Sequence, residues 1–302
     1  MKRTKKSHNF ISLKEALDET FEKLGQLISK EDGVAGLSTG FPGLDNLTSG
    51  LQNSDLIIIA ARPGMGKTTL ALNIAQEIAV VKGKPVAFFS FELSRAQVAH
   101  RLLCSNAEID SRRLQLGSLS QDEWQQDEWQ RISDAACSLA EAPFYIDDTV
   151  PLSVTEIRAR VRSFKTENGL AAVFVDYLQL VKGQDGDENR QQEISAISHS
   201  LKALANELNC PVAVLSQLNR TVETREDKRP ILSDLTESGG IEANADVVLF
   251  IYRDGYYHNE TEKKNIAEII ISKQRNGHTG KADLHFMSHF CKFVDISYSD
   301  AK

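Results

Sequence analysis

The chain has 302 residues, with 35 Lys and Arg against 42 Asp and Glu, a formal net charge of −7 and 41% hydrophobic residues. That length suits one large α/β domain with an appendage, or two small domains; the composition excludes a mostly disordered chain, and no run approaches the ~20 apolar residues of a membrane span. The acidity argues at first against a nucleic-acid partner, since proteins that bind nucleic acid usually carry a basic footprint.

The first residues, Met1-Lys2-Arg3-Thr4-Lys5-Lys6, are basic but lead into no apolar core of a secretory signal, so a solvated tail is expected. Residues 12–30 follow a helical pattern. Ser12 and Glu15 have the spacing of a capping box, and Leu13, Leu17, Phe21, Leu24 and Ile28 recur every three or four positions as one apolar stripe. Gly33 and Gly36 end this helix. Such a stripe must dock on its own domain or on a neighbour, and the pattern leaves both open.

From Asp55 onward, short apolar runs alternate with helical segments: Leu56–Ala61, Val86–Phe91, Phe144–Ile146, Ala171–Val175 and Val212–Leu215. Such runs predict strands buried on both faces, hence a mainly parallel sheet covered by helices. After residue 245, four strand-like runs (Ala245–Tyr252, Ile266–Lys273, Ala282–Phe286 and Phe290–Ile296) leave little room for helices and predict antiparallel additions or hairpins. Gln121–Gln125 (QDEWQ) is repeated at once as Gln126–Gln130, which reads as a small insertion in a surface helix. Cys104, Cys137, Cys210 and Cys291 are too far apart for a zinc site and read as reduced, buried thiols of a cytosolic-type compartment. His285, His289 and Cys291 lie in strand-like sequence with no further ligand and read as structural.

The strongest chemical signal is Ala61-Arg62-Pro63-Gly64-Met65-Gly66-Lys67-Thr68-Thr69, between an apolar strand and a helix. A phosphate-binding loop needs small residues that let backbone N–H groups face the phosphates. It also needs a lysine for the β- and γ-oxygens and a hydroxyl for Mg²⁺ at the helix start. Gly66, Lys67 and Thr68 supply these, with Ala61 where the usual pattern has glycine. Asp176, at the end of the run Ala171–Val175, is the candidate acid for Mg²⁺. Glu92 follows the strand Val86–Phe91 and is the candidate base for water, and Gln217 closes another strand as a candidate γ-phosphate sensor. Lys273-Gln274-Arg275 ends a strand before a turn, the position from which an arginine can reach a neighbouring subunit's nucleotide.

With these pieces in register, the chain resembles the C-terminal motor domain of DnaB-type hexameric replicative DNA helicases over residues 12–296. The matching segments are Ser38–Asp45, Ala61–Thr69, Ser90–Ser94, Asp176–Leu180, Ser216–Arg220, Ser233–Gly239 and Ser272–Gly277. The first two also occur in other RecA-like ATPases such as RadA and KaiC; the segments DYLQL, SQLNR and SKQRNG narrow the match to the helicases. The resemblance implies a RecA-like P-loop fold, residues 1–33 as tail and linker helix and 34–302 as motor, and ATP-driven 5′–3′ translocation on single-stranded DNA with duplex unwinding at the replication fork. It places ATP on Arg62, Pro63, Gly64, Met65, Gly66, Lys67, Thr68, Thr69, Arg101 and Gln274, and Mg²⁺ on Thr68 and Asp176. Glu92, Lys67 and Gln217 act on ATP, and Lys273 and Arg275 enter the next subunit's site. Arg220, Thr236, Glu237, Ser238 and Gly239 face DNA, with Thr236 where the family usually has Arg.

The implied partners are five further copies of the chain in a hexamer, together with primase, a helicase loader and other replisome proteins; the implied location is cytoplasmic. The family's N-terminal, primase-facing domain has no counterpart in these residues, so a piece, a processed form or a variant is expected. An ATP-binding ring that docks on a replication factor without unwinding is the alternative. A RadA- or KaiC-like switch is disfavoured by SKQRNG and by the lack of a Cys₄ pattern or a duplicated ATPase. Within the acidic chain, Arg220–Arg229 carries four basic and three acidic residues, a local balance that suits a DNA-facing loop.

Overall fold

The computed structural model describes residues 11–28, 34–118, 124–181, 190–235, 239–258 and 260–296. The chain divides into two units, Met1–Ala35 and Gly36–Lys302. The first contains α1 (Leu13–Ile28). Its start is the expected capping box: Glu15 N donates to Ser12 Oγ at 3.2 Å, and Ser12 N donates to Glu15 Oε2 at 2.9 Å. Leu13, Leu17 and Phe21 on its apolar stripe are exposed.

In the second unit the apolar runs form β1 (Leu56–Ala61), β2 (Val86–Ser90), β3 (Phe144–Asp147), β4 (Ala172–Asp176) and β5 (Val212–Gln217). They are joined by β6 (Val247–Tyr252), β7 (Ile266–Gln274), β8 (Gly280–Met287) and β9 (Lys292–Asp295). One sheet results, in the order β3-β2-β4-β5-β1-β6-β7-β8-β9, with β1–β6 parallel and β7–β9 antiparallel.

This corrects one expectation. The run at Ala245–Tyr252 is not an antiparallel addition: β6 lies parallel to β1, with Ile57 opposite Val247 and Ala60 opposite Phe250. A parallel return needs about a dozen connecting residues or more, and the chain between β5 and β6 supplies them. They fold as 3-10 turns and loop before a short α-helix rather than as a long amphipathic helix, so no helical period marks the crossover.

Both faces of the sheet are covered. Ile57, Ile59 and Ala61 of β1 pack with α2 (Pro42–Thr48), α3 (Lys67–Gln76) and α4 (Arg95–Ala107), while Leu56, Ile58 and Ala60 pack with α7 (Val154–Asn168) and α8 (Arg190–Leu208). That alternation is why β1 reads as continuously apolar, and burial of its four large side chains contributes roughly 6–12 kcal/mol. Between them, α5 (Ser111–Gln115) and α6 (Trp124–Glu141) form a smaller cluster in which Ile132 and Ala135 meet Ala107 and Ile109. Trp129 of the repeated segment is exposed, as expected for a surface insertion, while Gln121–Glu123 lie outside the described residues. Cys104 and Cys210 are buried; Cys291 is half-buried and Cys137 exposed, so the expectation of four buried thiols holds for two. Cys137 sits on α6 outside the narrow face that Ile132 and Ala135 bury.

Candidate functional site

The order β2-β4-β5-β1 brings four strand ends side by side, and the candidate phosphate loop leaves the last of them. Gly64 and Gly66 adopt φ of +79° and +99°, in the region that disfavours side chains. At Gly66 a Cβ would also lie 2.9 Å from Phe293 Cζ. Met65 is buried and pins the loop from below. Gly66 caps α3 without a side-chain hydrogen bond, which leaves the first-turn N–H groups for a phosphate.

Asp176 ends β4, two strands from β1, and accepts a 2.8 Å hydrogen bond from Thr68 Oγ1 through Oδ2. Its Oδ1 is buried with no hydrogen-bond partner. Burial pushes the Asp176 carboxyl up from the usual range, against the opposing pull of Lys67 and Thr68. Burial likewise pushes Lys67 down, with Asp176 and Glu92 opposing it. An orphaned carboxylate oxygen beside a hydroxyl is a hard-oxygen donor set that fits Mg²⁺, and a phosphate beside Lys67 would restore the charge that burial disfavours.

A cleft of about 340 Å³ is lined by Arg62, Pro63, Gly64, Gly66, Lys67, Thr68, Thr69, Glu92, Arg101 and Gln217. The structure thus brings together residues singled out in four separate segments, the loop, Glu92, Arg101 and Gln217, with Asp176 reached from the loop through Thr68. The same cleft is lined by Phe286, Ser288 and Cys291, which sequence reasoning missed. They come from the β8–β9 hairpin, and only the fold, not any local pattern, carries it to the loop. Arg253, after β6, donates to Gly64 O at 3.1 Å and lies over the Phe286 ring at 4.2 Å. Arg253 and Tyr256, whose ring would lie 3.1 Å from a Cβ at Gly64, follow a buried strand beside the loop-bearing one, a signal that could have been read once β6 was recognised as parallel. Arg62 reaches the cleft wall, but its guanidinium is held by Glu223 and by Leu218 O.

Lys273, Gln274 and Arg275 are not in this cleft. Because β7 runs antiparallel, Gln274 is level with Val247, and Val247 with Ile57, so this strand end lies at the edge where β1 begins rather than where it ends. That separates it from the phosphate loop by the four steps from Ile57 to Ala61, roughly 13 Å along the strand. Lys273 Nζ donates to Glu242 O and Arg275 Nη2 donates to Ala243 O at 2.6 Å; both carbonyls belong to α9 (Gly239–Asn244), whose negative dipole end suits cations. Arg275 also approaches Asp246 at 3.4 Å.

Of the candidate DNA-facing residues, Arg220 is exposed in a 3-10 turn after β5 and Gly239 opens α9. Thr236, Glu237 and Ser238 lie outside the described residues. Among the described residues no group of three or more His, Cys, Asp or Glu is placed to hold a metal ion. Among them, too, no helix is long and apolar enough to cross a membrane.

Residues 36–295 match the model of the DnaB-like helicase C terminal domain. Among curated proteins, the chain is 48% identical over 293 residues to the replicative DNA helicase DnaB of Geobacillus stearothermophilus, covering 97% of this chain and 63% of that protein. It is 46% identical over 293 residues to the replicative DNA helicase DnaC of Bacillus subtilis (strain 168), with the same coverage. The chain therefore spans about 63% of the length of these relatives. Among solved structures, the ATPase domain of G40P superposes with a TM-score of 0.89 at 36% identity, covering 96% of this chain and 100% of that one. A DnaB-like replicative helicase, described with its interactions with primase, superposes with a TM-score of 0.86 at 35% identity, covering 96% of this chain and 68% of that one.

Proposed function

The chain belongs to the DnaB-like helicase C terminal domain family, whose ATPase fold is built to bind nucleotide, and we propose that it is an ATP-hydrolysing motor that moves along single-stranded DNA as a hexameric ring and opens duplex at the replication fork. The observation that carries the reading is the convergence of the phosphate loop, Glu92 and Gln217 on one cleft at adjacent strand ends, with buried Asp176 joined to the loop through Thr68.

In this reading, backbone N–H groups of Gly64–Thr69 hold the ATP phosphates, Lys67 neutralises the β- and γ-oxygens, and Arg101 contacts the nucleotide. Thr68 and Asp176 hold Mg²⁺, which when bound offsets phosphate charge. Glu92 accepts the proton of the attacking water and Gln217 donates to the γ-phosphate. Lys273 and Arg275, lying at the far edge from their own phosphate loop, serve the cleft of an adjacent copy, with Gln274 between them. Residues 34–302 form the motor, and residues 1–33 a tail and linker helix whose exposed apolar stripe docks on the neighbouring copy. Arg220 and the segment Thr236–Gly239 face DNA. Primase and a loader are the partners proposed for the full assembly, in the cytoplasm.

Arg275→Ala is expected to keep nucleotide binding and to lose ATP turnover and strand displacement on forked DNA by about 10³-fold, as when a trans arginine is removed. Mixing it with Lys67→Ala is expected to restore turnover, because an intact loop then meets an intact arginine. Full turnover in Arg275→Ala, or no rescue on mixing, refutes the trans assignment. Hydrolysis without strand release refutes unwinding and leaves a docking ring.

A further inference from the structure

Arg62 opens the phosphate loop, yet its guanidinium is turned away from the phosphates. It is 9% exposed and held at two points: Nε donates to Glu223 Oε1 and Nη1 donates to Leu218 O, both at 2.8 Å. Leu218 forms an isolated antiparallel bridge with Leu235, and Asn219 N donates to Asp234 O at 2.8 Å. Asp234 is itself buried and accepts both terminal nitrogens of Arg225, at 2.8 and 2.6 Å. Leu235 is the last residue before the candidate DNA segment. Two contacts, Arg62 to Leu218 and Leu218 to Leu235, thus join the first residue of the phosphate loop to the edge of that segment.

We propose that the Arg62–Glu223 pair, with the Leu218–Leu235 bridge behind it, is the coupling element by which nucleotide occupancy sets the position of the DNA-facing loop. The inference rests on the function proposed above. A buried guanidinium held at two points, by the buried Leu218 carbonyl and by Glu223, moves together with its acceptors, so a shift of the loop around bound phosphate is passed to Leu218 rather than absorbed. Glu223 is suited to the task because its carboxylate is 41% exposed, on the turn that begins at Arg220. A second cavity, of about 240 Å³, adjoins this contact and is lined by Arg62, Gln179, Gln217, Leu218, Asn219 and Arg220. Arg62 therefore forms part of the wall of both spaces.

Because Glu223 is exposed and outside the cleft lining, Glu223→Ala is expected to fold, to bind ADP as the parent chain does and to keep its DNA-free ATPase rate. Its stimulation of ATPase by single-stranded oligonucleotide is expected to fall by about fivefold or more, the lower end of typical coupling between sites. The difference in oligonucleotide affinity between a non-hydrolysable ATP analogue and ADP, read by fluorescence anisotropy, is expected to shrink in parallel. Arg62→Gln combined with Glu223→Ala is expected to be no worse in stimulation than Glu223→Ala alone, as two ends of one link require. A purely structural role would lower the unfolding midpoint and leave the stimulation ratio intact. Parent-like stimulation and parent-like nucleotide dependence in Glu223→Ala overturn the coupling role alone. A parent chain with no DNA-dependent ATPase overturns the functional reading and the coupling with it.

Discussion

Asp55 precedes β1 at the edge where Arg275 lies, and burial together with the charge of Asp246 pushes its carboxyl from 3.8 up to about 6, with Lys202 and Arg275 opposing. A carboxyl with a raised folded-state value weakens the fold wherever it must be ionised. The penalty is full above pH 6, shrinks as the folded chain takes up the proton between 6 and 3.8, and is gone below 3.8. At 1.36 kcal/mol for each tenfold in proton affinity the penalty is about 3 kcal/mol. Because the side chain is only about half buried, solvent screening reduces this to ~1 kcal/mol. Asp55→Asn is therefore expected to raise the unfolding free energy by about 1 kcal/mol at pH 8 and by clearly less at pH 5, measured by urea denaturation at fixed ionic strength. The gain should shrink in an Asp246→Asn background, where the repelling charge is gone, and grow in Arg275→Ala, where a compensating cation is lost. An equal gain at both pH values, or a loss at pH 8, would refute the assignment of the shift to burial and Asp246.

Two further outcomes follow from the cleft. Asp176→Asn is expected to leave ADP binding in EDTA intact and to remove about tenfold or more of the tightening by Mg²⁺, the equivalent of ~1.4 kcal/mol; in the parent chain that tightening should weaken on acidification, because the raised Asp176 carboxyl takes up a proton in competition with the metal. A titration with and without Mg²⁺ across pH decides it. Gly66→Ala, which combines a φ of +99° with a Cβ at 2.9 Å from Phe293, is expected to lose nucleotide binding and about 2 kcal/mol of stability, read by the same titration and by urea.

Most of the strand ladder was legible because parallel strands buried on both faces leave continuous apolar runs, as in Leu56–Ala61. The phosphate loop and Asp176 were legible for a local reason: each sits where an apolar run stops. What the sequence hid was set by connections. β6 has the same composition whether it runs parallel or antiparallel, and its direction depends on a crossover of turns that has no period. Phe286, Ser288 and Cys291 reach the cleft because three antiparallel strands fold back beside β6, and no spacing along the chain foretells that. Arg62 was read as a nucleotide-site residue; it lines the cleft, and what the motif did not show is that its guanidinium pairs with Glu223, more than a hundred residues on, a pairing that the adjacency of β1 and β5 creates.

The charge of the chain is instructive for the same reason. The balance of Arg220–Arg229, four cations against three anions, suits a phosphate-facing loop when counted along the sequence. In the fold, Arg225 is held by buried Asp234 and Arg229 by buried Glu268, while Lys228 lies over the Tyr257 ring at 5.7 Å. Among the described residues, Arg220 is the cation of this stretch held by neither an acidic side chain nor an aromatic ring. The remaining cations brace the connection between β5 and β6, the stretch that carries Leu218, Glu223 and Leu235. Two of the loop's four cations are thus taken up by internal ion pairs, so a net charge of −7 neither excludes DNA nor predicts how it would be held. For the motor proposed here, contact with DNA then rests on Arg220 and on backbone N–H groups near Gly239, repeated around a ring, rather than on a basic surface.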